Sequence, residues 1–180
     1  MLNPSAPIGK SMKYARRELE RRFLLTEVPP TPGVIRTAVI TDRYIAGTRF
    51  RLRRSIERSA ESTATVYKLT QKIPADDGGP GLITTMYLSE AEFDAFSKLP
   101  GDVLTKTRLS IPPFGIDVFD PPLDGLILAE AEFETEEEML AFGAPRFAVA
   151  DVTADPRFTG GRLVRCTREE LRAALADVRS

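Results

Sequence analysis

Five separate stretches of this chain carry charged residues at the two-residue period of a β-strand. In Glu18-Leu19-Glu20-Arg21-Arg22-Phe23, the side chains of Glu18, Glu20 and Arg22 fall on one side and Leu19 and Phe23 on the other. Arg21 breaks the rule by joining the apolar side. Arg51 and Arg53 alternate with Phe50 and Leu52. Lys68 and Lys72 share a face within residues 63–73, and Lys106 and Arg108 do so within 101–111. Glu130 and Glu132 share a face opposite Ala129, Ala131 and Phe133, and Asp117 adds a carboxylate from residues 115–120. A sheet with one solvated side explains any one of these strands alone. Five together, with apolar reverses at Leu19 and Phe23, at Phe50 and Leu52, and at Ala129, Ala131 and Phe133 able to pack beneath helices, predict a sheet whose charged sides line a shared hydrated cavity.

The intervening sequence supports that layout. Pro29-Pro30-Thr31-Pro32-Gly33 ends the first strand, residues 34–43 read as the next, and residues 74–81 as an acidic, Gly-rich hairpin loop. Ser89 with Glu92 forms a capping box for a helix reaching Lys98. Thr135 starts a short acidic helix, and Thr167 with Glu170 starts a last one. Residues 149–152 read as a short strand. About eight strands joined by hairpins, without regular βα alternation, predict an α+β protein: an antiparallel sheet or closed barrel with helices outside. Residues 1–12 read as a flexible leader, and residues 13–180 as a single domain.

What the chain lacks narrows its chemistry. Among 180 residues there is no histidine, which removes imidazole ligands, shuttles and triads. One cysteine, Cys166, excludes an internal disulfide and thiolate zinc sites. Gly9-Lys10-Ser11 mimics the end of a P-loop, but Pro4 stands where the first glycine is needed. A net charge of −1, from 25 basic and 26 acidic residues, gives no general attraction to nucleic acid or membrane. With neither an apolar signal segment nor a membrane span, the expected setting is reducing and cytoplasmic.

Carboxylates, lysines, arginines and hard metal ions remain. Basic side chains on the inner faces call for an anion with several charges, such as a polyphosphate chain, with arginine forks on its oxygens. The carboxylates would repel that anion unless a divalent cation lay between, and oxygen ligands suit Mg²⁺ or Mn²⁺. This combination points to metal-assisted phosphoryl or nucleotidyl transfer.

Glu18-Leu19-Glu20-Arg21-Arg22 resembles the ExExK signature of the CYTH domain, the triphosphate tunnel metalloenzymes. The resemblance continues through Arg51-Leu52-Arg53, Tyr67-Lys68-Leu69-Thr70-Gln71-Lys72 and Thr105-Lys106-Thr107-Arg108. It extends to Leu128-Ala129-Glu130-Ala131-Glu132-Phe133 and Asp151-Val152-Thr153, and so covers most of the chain. It implies an eight-stranded antiparallel tunnel that binds a triphosphate. It further implies Glu18, Glu20, Asp117, Glu130 and Glu132 as metal ligands, and Arg51, Arg53, Lys68, Lys72, Lys106 and Arg108 as phosphate contacts. Glu18, Glu20 and Arg22 would form the catalytic signature. Two departures stand out: the signature lysine is Arg22, which keeps its charge but cannot release a proton, and residues 83–88 lack the Arg-x-Glu pair of many relatives.

The implied activity is hydrolysis of a triphosphate, with inorganic tripolyphosphate preferred because no base-reading pocket is evident. Cyclisation of ATP is the alternative, and a binding module without turnover is a third reading. Tyr44, Tyr67, Phe114 and Phe119 are candidates to stack on an organic ring, though core packing is the commoner fate of such residues. A triphosphate-containing small molecule is the expected partner, with no nucleic acid and a homodimer as a mild preference.

Overall fold

The computed structural model describes residues 13–30, 33–75 and 79–179. The expected leader lies outside these residues, as do parts of the Pro29–Gly33 break and of the 74–81 loop. Among the described residues the strands are β1 (Arg16–Arg17), β2 (Glu20–Leu25), β3 (Arg36–Ile45), β4 (Phe50–Arg58) and β5 (Thr63–Ile73). They continue as β6 (Leu82–Leu88), β7 (Gly101–Ile111), β8 (Phe114–Phe119), β9 (Ile127–Glu132) and β10 (Ala150–Asp151). All pair antiparallel in one sheet of order β1-β6-β5-β4-β3-β7-β8-β9-β2-β10.

The α+β class stands, but the expected eight-stranded closed barrel does not: the sheet has ten strands and its ladder is open. The first charged stretch causes part of the difference, because it changes partner midway. The amide of Glu18 still donates to Gly81 beside β6 at 2.9 Å, whereas the carbonyl of Leu19 already accepts from Phe133 at the end of β9. What reads as one strand is therefore two, β1 on β6 and β2 on β9, and a single stretch of chain pairs at both ends of the strand order. The two-residue β10 adds a further short strand on β2.

Helices are α1 (Glu90–Ser97), α2 (Glu136–Ala141), α3 (Gly160–Leu163) and α4 (Arg168–Arg179). Two capping boxes form as read, Ser89 with Glu92 and Thr167 with Glu170 at 2.8 and 3.2 Å, and Thr135, read as a helix start, forms a third with Glu138. Two apolar clusters lie behind the charged strands. Leu52 and Leu69 pack beneath Phe93 and Phe96 of α1. Phe23, Ile116 and Ala129 pack with Phe114, Phe142 and Ala148.

The third and largest cluster sits on the same face as the charged residues, at one end of it. Leu24 of β2, Leu104 of β7, Phe119 of β8 and Leu128 of β9 meet Phe158, Leu163 of α3, and Leu171 and Ala174 of α4. Residues 153–166 thus carry the α3 segment that closes this end. Gly160 is required there, since a Cβ would stand 2.0 Å from the Tyr44 hydroxyl. No helix of the described residues is long and apolar enough to cross a membrane.

Candidate functional site

Directly opposed residues on neighbouring strands share a face, so the register assembles the candidate site. Arg22 opposes Glu130, which opposes Gly115. Asp117 opposes Arg108. Asp42 opposes Arg53, which opposes Lys68, and Tyr44 opposes Arg51. Lys106 and Arg108 oppose Ile40 and Ala38 of β3, so they join the same side. Tunnel-facing residues predicted on separate strands are thus brought onto one surface.

Ion pairs tie that surface together. Arg22 bridges two carboxylates, Glu20 and Glu130, through different nitrogens. Asp117, fully buried, accepts Arg108 Nε and Nη2 at 2.6 Å each and also takes Lys106. Arg108 reaches on to Glu130. It can do so because Gly115 leaves room: a Cβ there would lie 3.1 Å from Arg108 Cδ and 3.2 Å from its Nε. Arg53 makes a two-point contact with Asp42, at 2.6 and 2.7 Å.

Two cations differ from the rest. The Nε of Arg51 is buried without a hydrogen-bond partner, with Asp42 Oδ1 3.9 Å away. Lys68 makes no ion pair among the described residues, and its ammonium lies 5.0 Å from the centre of the Tyr87 ring.

The electrostatics follow from burial and neighbours. Burial, then the charge of Glu130, push the Glu20 carboxyl above its ordinary range. Burial would raise Glu130 as well, but Arg108, Lys106 and Arg22 hold it well below the usual value. Burial lowers the Lys106 ammonium, and Asp117 only partly offsets that. Asp42 is held down to about 2, since Arg53 and Arg51 outweigh its burial. Burial, then Asp42, push the Tyr44 hydroxyl up to about 12.

The expected metal set is spread out. Glu18 engages Lys72, Asp117 is taken up by Lys106 and Arg108, and Glu132 is exposed. Among the described residues no three carboxylates stand together as a group able to hold a metal ion. Glu18, Glu20 and Glu132 border a cleft of about 430 Å³ that Arg16, Leu19, Ile83 and Phe133 also line. Arg51, Arg53 and Lys68 lie outside that cleft, so it meets only the acidic margin of the site.

The Asp151-Val152-Thr153 motif acts behind the site. Thr153 Oγ1 accepts the Arg22 amide at 2.9 Å, and the Val152 amide donates to the Arg22 carbonyl at 2.9 Å. Asp151 pairs with Arg21 on the outer side. The aromatic candidates fall in packing roles: Phe119 is core, Tyr44 and Phe114 pack against clusters, and Tyr67 lies 4.7 Å from Phe93.

Asp42 and Gly115 escaped the sequence reading. Asp42 had a signal: Ala38, Ile40 and Asp42 alternate on the buried side of β3, so an acid stood where an apolar residue was due.

Searches against protein-family models and curated protein sequences give no match. Solved structures do match. Two are of the protein NE1496, described in one as an inorganic triphosphatase. They are 24% and 23% identical, cover 83% of this chain and 99% and 95% of their own, and each has a TM-score of 0.53. The fold is shared with an inorganic triphosphatase. The resemblance to the triphosphate tunnel family therefore holds at the level of the fold. A more distant likeness, PH1819 from Pyrococcus horikoshii OT3, is 16% identical over 89% of each chain, with a TM-score of 0.43.

Proposed function

We propose that this protein hydrolyses a triphosphate, with inorganic tripolyphosphate as its preferred substrate and Mg²⁺ or Mn²⁺ as its cofactor. The observation that carries the reading is Arg51: a buried guanidinium nitrogen with no acceptor, on the same inner face as Lys68. An unsatisfied buried donor costs on the order of 1–3 kcal/mol, and an anionic oxygen removes that cost. Arg51, Arg53 and Lys68 would hold the phosphate chain, with Lys106, Arg108 and Lys72 supplying further positive charge.

The carboxylates suit a hard cation in chemistry. Glu20 and Glu130 are close enough for the charge of one to raise the other's carboxyl, and a cation would relieve that repulsion. Glu20 and Glu130 would hold the ion, with Glu132, opposite Glu20 in register, and Glu18 on the margin beyond them. Too few carboxylates converge to enclose it, which fits an ion completed by phosphate oxygens and water. When bound, it supplies charge neutralisation at the phosphate oxygens.

Arg22 stays protonated at any working pH, so its part is to fix Glu20 and Glu130 relative to each other. With no histidine, the proton released on hydrolysis goes to a carboxylate, a lysine or the phosphate itself.

The test is product analysis with tripolyphosphate, ATP and thiamine triphosphate, each with Mg²⁺ or Mn²⁺. Orthophosphate from tripolyphosphate, dependent on the ion, is the expected result. Cyclic AMP with pyrophosphate from ATP would replace the hydrolase reading with a cyclase. Binding without release of any product would sink both.

A further inference from the structure

Asp42 is an acid set deep in a wall otherwise suited to an anion. It is 1% exposed, and no role assigned above uses it. Its Oδ1 and Oδ2 accept Nε and Nη2 of Arg53 at 2.6 and 2.7 Å, and Oδ1 lies 3.9 Å from Nε of Arg51. One carboxylate on β3 thus stands behind both arginines of β4. On its other side it opposes Leu104, part of the apolar end of the same face.

A negative charge here weakens attraction for a polyphosphate. As a structural device it is also a poor choice, because an apolar side chain of similar volume avoids the desolvation cost of a buried ion pair. What an apolar residue cannot do is fix the plane of a guanidinium. The two-point contact occupies the Nε and Nη2 edge of Arg53. Among the described residues Nη1 makes no hydrogen bond, which leaves it for a ligand.

We propose that Asp42 is a positioning residue, which locks the Arg53 guanidinium and steers that of Arg51 so that their remaining N–H groups face the phosphate chain. This rests on the triphosphate reading of the site and adds to it the residue that orients two of its arginines. Positioning and simple charge predict opposite signs. Removing the charge of Asp42 leaves the wall more positive, so electrostatics alone predicts tighter binding of an anion. Loss of positioning predicts weaker binding.

The experiment is calorimetric titration of inorganic tripolyphosphate in the presence of a chelator, so that nothing is turned over. The unaltered protein is compared with Asp42→Asn, Arg53→Lys and the double variant, and melting is followed in parallel. We expect Asp42→Asn to weaken binding about tenfold, the scale of one lost charge-assisted hydrogen bond, despite the added positive charge. We expect the double variant to bind no worse than Arg53→Lys, since Asp42 acts through that arginine. Unchanged or tighter binding by a folded Asp42→Asn overturns the proposal, and so do additive losses in the double variant.

The Nε–H signal of Arg53 in the free, unaltered protein gives a second reading that needs neither a folded variant nor a ligand. Slow exchange with solvent supports the lock, and fast exchange overturns it. An unaltered protein that neither binds tripolyphosphate with the chelator nor releases orthophosphate from it with Mg²⁺ or Mn²⁺ sinks the triphosphatase reading, and the Arg53 signal then still decides whether Asp42 fixes the guanidinium.

Discussion

Two regions of one sheet face, made by the same strands, behave in opposite ways. On β2 the step from Arg22 to Leu24 crosses from one to the other. On β9 it is Glu130 to Leu128, on β8 Asp117 to Phe119, and on β7 Lys106 to Leu104. Two residues along a strand keep the side chain on the same face, so neither side nor strand distinguishes these positions. Their cover does. α3 and α4 dock on Leu24, Leu104 and Leu128 and turn that end into core, whereas at the other end buried charges are matched to one another. Helices that plug one end let the remainder of the face stay polar.

Moving charge across that boundary should have the largest effect. Leu24→Arg places an unmatched cation among Phe158, Leu163 and Leu171, at a cost above about 4 kcal/mol. The expected result is loss of the cooperative unfolding transition, and a melting temperature within a few degrees of the unaltered protein would refute the plug. Leu128→Ala leaves a cavity at the same end and should cost about 2–5 kcal/mol in denaturant unfolding, with kcat preserved in the folded fraction. A large fall in kcat instead would show that the two ends are not separable.

On the charged side, Glu130→Gln removes the charge and keeps an acceptor for only one of Arg22 and Arg108, which bond different oxygens of Glu130. Metal-dependent turnover should fall at least about a hundredfold while circular dichroism is unchanged. Retained activity would remove Glu130 from the proposed metal ligands.

Acid should reach this side first. Asp42 titrates at about 2 in the folded protein, against about 3.9 when unfolded. Its contribution of about 2 kcal/mol is complete above pH ~4 and is lost as pH falls toward ~2. Unfolding free energies of Asp42→Asn and the unaltered protein should therefore converge over that window. Parallel curves would show that Asp42 is not paired as described. The smallest effect is expected from Gly115→Ala, whose Cβ would press on an Arg108 already held by Asp117 and Glu130. Turnover should drop a few-fold, on the scale of a slightly misplaced contact, and full activity would mean that Arg108 has room to yield.

Much of this was written locally. Alternation placed Arg51, Arg53, Lys106 and Arg108 on one side of their strands, and Ser89, Thr135 and Thr167 marked three helix starts, because both signals depend on neighbours within a few residues. The apolar end of the face was not legible. Leu24, Leu104 and Leu128 come together through stagger between strands and through α3 and α4, whose docking no local period records. The change of partner at Glu18 and Leu19 was hidden for the same reason, since a strand's sequence does not say which neighbour it pairs with. Asp42 was passed over because it interrupts a run of Thr37, Ala38, Val39, Ile40 and Thr41 that reads as an ordinary strand. Gly115 was passed over because its contribution is the absence of a side chain.

The stretch that spans β1 and β2 also bears on the order in which this protein can be made. Arg22 lies 108 residues ahead of Glu130, so β2 leaves a ribosome long before the strand that pairs with it there. Pairings of such long sequence separation form late, because loop closure must precede the contacts that reward it. Until β9 has been synthesised and added, the guanidinium of Arg22 has no Glu130 to meet and the inner face lacks a side. A ligand that needs the completed face therefore protects against unfolding only those molecules in which β9 has already joined β2.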